Sequence, residues 1–164
     1  MIYRDPIIQK LFDIISSVDG VAFKSYYHGD PFLIPRSNLP ALILAKDNTR
    51  IGDASNAEDY HAMRFVFTAV SDIRTELGNP ETDIVIGDSM LYDLFEGRNE
   101  DFTLKDTALV AILRANTEIG NNTHIDLRSE MIPDYGFSFG KRGERSWAWE
   151  GMLTVDLYRE ELRE

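Results

Sequence analysis

The segment Ile84-Val85-Ile86-Gly87-Asp88-Ser89-Met90 places a serine where a strand pattern gives way to a helix pattern, a turn from which a hydroxyl can attack a carbonyl. Such chemistry needs a general base for Ser89, a carboxylate to orient that base, and donors for the oxyanion. Only His28, His61 and His124 are available as imidazole bases. His124-x-Asp126 and Asp59-x-His61 each put an imidazole and a carboxylate on one face of a strand, as a metal ion can use, but each supplies two ligands only. Solvated or hydrogen-bonded surface histidines explain both pairs. His28-Gly29-Asp30-Pro31 reads as turn chemistry. The absence of cysteine excludes a thiolate nucleophile, a disulfide framework and Cys-ligated zinc or iron-sulfur centres.

Over those few residues the Ser89 block resembles the first block of GDSL-type esterases, in which the serine is the nucleophile. That resemblance implies a small serine hydrolase using Ser89. Gly120-Asn121-Asn122 can be laid on the Gly-x-Asn block of the same enzymes, but no Asp-x-x-His follows, so their catalytic histidine has no counterpart. The competing reading makes Asp88 or Ser89 the cap of a helix, and it is the one the sequence favours.

Gly140-Lys141-Arg142-Gly143-Glu144-Arg145 gathers basic residues in a chain of formal net charge -11. It lacks the phosphate-loop spacing and leads into a strand, so no helix N-terminus is there to hold an anion. Lys141, Arg142 and Arg145 read as a solvated hairpin tip or as a contact for an acidic neighbour, another copy of the chain included. From Ser146 to Tyr158, one parity holds Trp147, Trp149, Gly151, Leu153, Val155 and Leu157, and the other holds Ser146, Glu150, Thr154 and Asp156. This alternation predicts a long half-buried strand. Trp147 and Trp149 are expected to be buried together, with Glu150, Thr154 and Asp156 facing solvent or a neighbour. Tryptophans there serve either a core or an interface. Lys141, Arg142, Arg145, Trp147 and Trp149 are therefore the candidate subunit interface.

The elements that must position these residues follow from periodicity and turn chemistry. Asp5 and Pro6 open a helix whose Ile7, Ile8, Leu11, Phe12, Ile14, Ile15 and Val18 recur at helical spacing until Gly20. Val21–Tyr27 alternates as a first strand, and Leu39–Ala45 reads as a short central strand with its proline at the start. Residues Asp47–Asp59 are polar and suit an exposed loop. His61–Ser71 is apolar on both parities, as in a strand covered on both sides. A helix is expected from about Ser89 to Glu96, and another capped by Asp106 and running through Arg114, burying Leu109, Val110, Ile112 and Leu113. Gly120-Asn121-Asn122 is a turn. His124–Met131 and Tyr135–Phe139 are strands, and Arg159–Glu164 should fray. The order predicts one α+β domain over 1–164, with a single antiparallel or mixed sheet, a long C-terminal hairpin, and two or three helices packed on it.

At 164 residues the chain can bury a core without metals or disulfides. No apolar run approaches the roughly 18 residues of a spanning helix, and the charged start resembles no secretory signal, so no membrane partner and a cytoplasmic origin are expected. Ten carboxylates fall between Asp72 and Asp106 against only Arg74, Arg98 and Lys105, a balance that repels phosphate and argues against gripping nucleic acid. It suits a channel through which DNA slides without sticking.

Taken in order, the N-terminal amphipathic helix, the strand leading to His28-Gly29-Asp30-Pro31, Leu39-Pro40-Ala41-Leu42, the exposed segment before Met63–Val70 and the closing Trp-rich strand resemble tail terminator proteins of long-tailed bacteriophages, or related tail-completion and neck components. The resemblance spans most of the chain. It implies an α+β protein with no catalysis and no cofactor, which closes into a hexameric ring on the end of the tail tube, stops tube growth and offers a surface to the head connector. Its implied partners are other copies of itself, the tail tube protein and the neck. Its implied location is the virion, after assembly in the host cytoplasm.

Overall fold

The computed structural model describes residues 4–55, 57–72, 90–139 and 147–162. Among them the chain is α+β, with three α-helices and a seven-stranded mixed sheet. Helix α1 spans Pro6–Ser16. Asp5 caps it, its carboxylate accepting from the N–H groups of Ile7 and Ile8, so the first orphan donors of the helix are satisfied. Strand β1 (Ser25–His28) pairs parallel with β2 (Ala41–Ser55), and β2 forms an antiparallel hairpin with β3 (Glu58–Asp72). Helices α2 (Met90–Glu96) and α3 (Leu109–Ala115) follow. The short strands β4 (Glu118–Gly120) and β5 (Thr123–Ile125) are joined by the predicted turn, with Gly120, Asn121 and Asn122 all at positive φ. β6 (Asp134–Phe139) and β7 (Trp147–Leu162) complete the sheet.

β7 is the sheet's backbone. Along one edge it pairs with β3 from Glu58↔Leu162 to Asp72↔Ala148, and its other edge is divided between β6 at residues 147–152 and β5 at residues 157–159. Register decides which side chains meet. Met63, Phe65, Phe67 and Ala69 lie opposite Leu157, Val155, Leu153 and Gly151, and Leu42 and Leu44 join them from β2. This face packs on the helices through Leu11, Phe12, Ile15, Leu91, Phe95, Leu109 and Leu113. Phe65, Phe67 and Phe95 are fully buried, and truncating any one to alanine should cost about 3–5 kcal/mol. The opposite face carries a smaller cluster of Ile34, Leu39, Ala41, Ile43, Val70 and Ala148.

Gly151 shows how tightly the main core is closed. A Cβ at that position would run into the Phe95 ring and approach Tyr135, so only hydrogen fits between strand and helix. The Tyr135 hydroxyl donates to Glu96 Oε2 at 2.9 Å, tying β6 to the end of α2. Burial, reinforced by that carboxylate, pushes the Tyr135 phenol far above its ordinary range.

Several expectations are corrected. Residues 47–55 and 58–59 are strand rather than loop: β2 runs on past a register shift between Lys46 and Asn48, and β3 starts at Glu58. Their polarity reflects two exposed faces rather than missing hydrogen bonds. Arg159–Leu162 does not fray, because the early part of β3 supplies its ladder partners. Asp106 does not cap α3. Ala108 holds that position after a turn closed by its own N–H to the carbonyl of Lys105, which leaves Asp106 in the turn. Glu150 is buried rather than solvent-facing, because its face of the sheet is the one covered by the smaller cluster around Val70 and Ala148. β1 and β5 are shorter than the alternation suggested, and residues 126–133 form no strand.

Candidate functional site

The distal half of the β2–β3–β7 arm leaves its outer face uncovered, and cross-strand register assembles a polar and aromatic surface there. Arg64 faces Asp156, Ala62 faces Tyr158, and His124 faces Tyr158 from the other side. The Tyr158 ring lies between those of Tyr60 and His124, with centroids 6.2 Å and 5.3 Å away and interplanar angles of 20° and 25°. Three near-parallel rings therefore pave the face. Beside them is an open concavity of about 820 Å³ lined by Tyr60, His124, Asp126, Arg128, Tyr158 and Glu160.

Two carboxylates on this surface, Asp156 and Asp126, already have partners. Arg64 donates Nε to Asp156 Oδ1 at 2.8 Å and Nη2 to Oδ2 at 3.3 Å, and Ser129 Oγ donates to Oδ2 at 2.9 Å. Arg64, helped by Ser129 against opposing burial, holds Asp156 below the usual carboxylate range. Arg128 likewise holds Asp126 low through bonds of 2.9 Å and 3.1 Å. Carboxylates stabilised in their charged form by bidentate guanidinium groups are poor proton acceptors.

Of the predicted pairs, His124 is stacked on Tyr158 while Asp126 is held by Arg128. His61 Nε2 stands 3.6 Å from Glu161 Oε2. His28 ends β1 with its ring against Phe12 and Nε2 3.1 Å from Gln9, and Gly29 turns the chain at φ 78°. Among the described residues no three His, Asp or Glu side chains gather as a metal site. Ser89 with its preceding block, and Lys141, Arg142 and Arg145, lie outside the described residues. Trp147 begins β7 opposite Phe139, with its side chain outside the description. Trp149 is only half-buried and packs at the margin of the main core.

The sequence marks Asp156 only as facing solvent or a neighbour, and it does not single out Tyr60, Arg64 or Tyr158. Their shared parity on two strands was visible, but which residues sit opposite each other required the β3–β7 register. Among the described residues, no helix is long and apolar enough to cross a membrane. No protein-family model matches the chain, and no curated protein matches it.

Proposed function

We propose that the chain is a ring-forming structural protein of a bacteriophage tail, closing the end of the tail tube, halting its polymerisation and presenting a surface to the head connector. The observation that carries this reading is the long arm. β2 and β3 each run fifteen residues, about 50 Å, yet β1 covers β2 only at residues 41–44. Among the described residues, no strand pairs with the outer edge of β2 over residues 46–55. An exposed edge of this length is a template for another chain, and a head-to-tail contact that closes on itself makes a ring. Lys141, Arg142, Arg145, Trp147 and Trp149 are proposed to contribute to the subunit interface. A hexamer in contact with tube protein and neck, located in the virion after cytoplasmic assembly, completes the reading. Its net charge of -11 suits DNA passing without being held.

The decisive experiment mixes purified protein with tail tubes and follows it by sedimentation and electron microscopy. A ring at the tube tip, with tube growth arrested, is expected. A protein that remains monomeric or dimeric and never adds to tubes, under conditions in which a genuine terminator does, defeats the proposal. Fluorophosphonate labelling that disappears in Ser89→Ala would instead favour the hydrolase.

A further inference from the structure

The ladder register fixes which backbone groups β2 turns toward its uncovered edge. Asp126 N–H donates to the Asp156 carbonyl, so Asp156 turns its backbone groups away from β3, and Val155 turns its own toward Phe65. Along β3 the alternation then points Arg64, Ala62 and Tyr60 at β2, where they meet Asn48, Arg50 and Gly52. Thr49, Ile51 and Asp53 therefore aim their N–H and C=O groups outward. Among the described residues no strand receives them. Residues 48–53 also hold neither proline nor lysine, the residues that ordinarily guard an edge, and the neighbouring Lys46 is tied to Asp5 at 2.6 Å. Ile51 stands in the middle of this stretch and is 65% exposed.

The stretch is regular between two register shifts, one at Lys46/Asn48 and one at Asp53/Ser55, and its sequence is complementary to itself. A two-fold axis normal to the sheet pairs two such strands antiparallel and keeps the same face up in both copies. With the axis at Ile51, Thr49 meets Asp53 of the other copy, a hydroxyl donor against a carboxylate, while Ile51 meets Ile51, Arg50 meets Gly52 and Asp47 meets Ser55. No like charges stand opposite each other. Sliding the strands by two residues one way sets Arg50 against Arg50 and Asp47 against Asp53. Sliding them the other way sets the Asp53 carboxylate against Ile51 and carries the pairing into the irregularity at Ser55. The length fits as well. The β2 strand of the other copy ends opposite Asp47, short of Leu44, where β1 already covers the edge.

We infer that two copies of the chain join their β2 edges antiparallel about a two-fold axis at Ile51, making one sheet continuous across both subunits. The pairing rests on the free edge and not on the ring reading. It occupies the edge that a ring contact would use, so where the chain closes a ring the pair must first open.

No tail tubes are needed to test the pair. Sedimentation of the wild-type chain should show dimers. Ile51→Cys in the cysteine-free chain should oxidise to a disulfide-linked dimer, because Cα atoms opposed across the axis stand about 5.5 Å apart, within disulfide reach. Asn48→Cys is exposed too, but it lies about 20 Å from its counterpart along the paired strands and should stay unlinked. Ile51→Lys should weaken dimerisation at least tenfold with an unchanged circular dichroism spectrum. In that monomer the amides of Thr49, Ile51 and Asp53 should exchange with deuterium quickly, and in the wild-type dimer at least tenfold more slowly. A wild-type monomer, a dimer that Ile51→Cys does not link or Ile51→Lys does not loosen, or edge amides already protected in a monomer overturns the pairing. None of these results bears on ring formation at tube tips, which the tube experiment decides separately.

Discussion

Arg64 and Asp156 face each other across β3 and β7, joined by two hydrogen bonds of 2.8 Å and 3.3 Å on the uncovered face of the arm. Because the folded protein holds the Asp156 pKa below its unfolded value of about 3.9, the pair contributes stability that is complete above about pH 5. That contribution is lost as pH falls through the unfolded and then the folded pKa. Asp156→Asn should lower the melting temperature at pH 7 by about 2–4 °C, the effect of a modest partly solvated pair in a protein of this size. The difference from wild type should shrink as pH falls through the unfolded pKa and disappear only below the folded one, and thermal melts along the acid limb check it.

Gly151 on β7 lies against the Phe95 ring of α2 with no room for a Cβ between them. Gly151→Ala should destabilise the protein by about 1–3 kcal/mol, read as a lower urea midpoint with an unchanged slope. Combining it with Phe95→Leu should cost less than the sum of the two single changes, since the smaller side chain makes room for the methyl group. Simple additivity would show that the backbone rather than the ring absorbs the clash.

Asp5 joins the start of α1 to β2. Burial opposes its charge, but Lys46, 2.6 Å away, and the N–H groups of Ile7 and Ile8 outweigh burial and hold its pKa low. Asp5→Ala should cost about 1–2 kcal/mol in urea unfolding, as the loss of a helix cap does. Asp5→Asn keeps a capping oxygen and loses only the ion pair, so its midpoint should fall between alanine and wild type.

Reversing charge at Lys141, Arg142 and Arg145 together should reduce ring formation on tail tubes, scored by sedimentation and imaging. The melting temperature should change little, in line with surface substitutions worth within about 0.5 kcal/mol. Unchanged assembly in the triple variant would remove the basic turn from the interface.

The most legible parts of the chain were those whose local pattern had only one solution. Asp5-Pro6 with apolar residues at helical spacing specified α1, and the parity of Gly151, Leu153, Val155 and Leu157 specified the buried side of β7. The β2–β3 arm was half missed. Lys46–Ser55 has no buried face, so its alternation carries no hydrophobic signal, and only hydrogen bonding to β3 makes it a strand. Glu150 departs from expectation for the converse reason: its polarity predicts a place facing solvent or a neighbour, whereas a second cluster within the chain covers its side of the sheet.

The candidate surfaces divide along the same line. Tyr60, Tyr158 and His124 lie far apart in sequence, and nothing local sets the register that stacks them. The outward aim of Thr49, Ile51 and Asp53 is set by register too, because it depends on which residues of β3 bond to β7.

By itself the sequence determined the α+β class, the main helix, the two apolar strands at 61–71 and 146–158 and the absence of thiol chemistry, because periodicity, caps and composition act over a few residues at a time. Only the tertiary structure decided how far the arm extends, which face of it is covered, and which carboxylates are already neutralised by guanidinium groups. Those outcomes depend on register and on layers meeting across long sequence separations, where each contact is set by the whole sheet rather than by its neighbours in the chain.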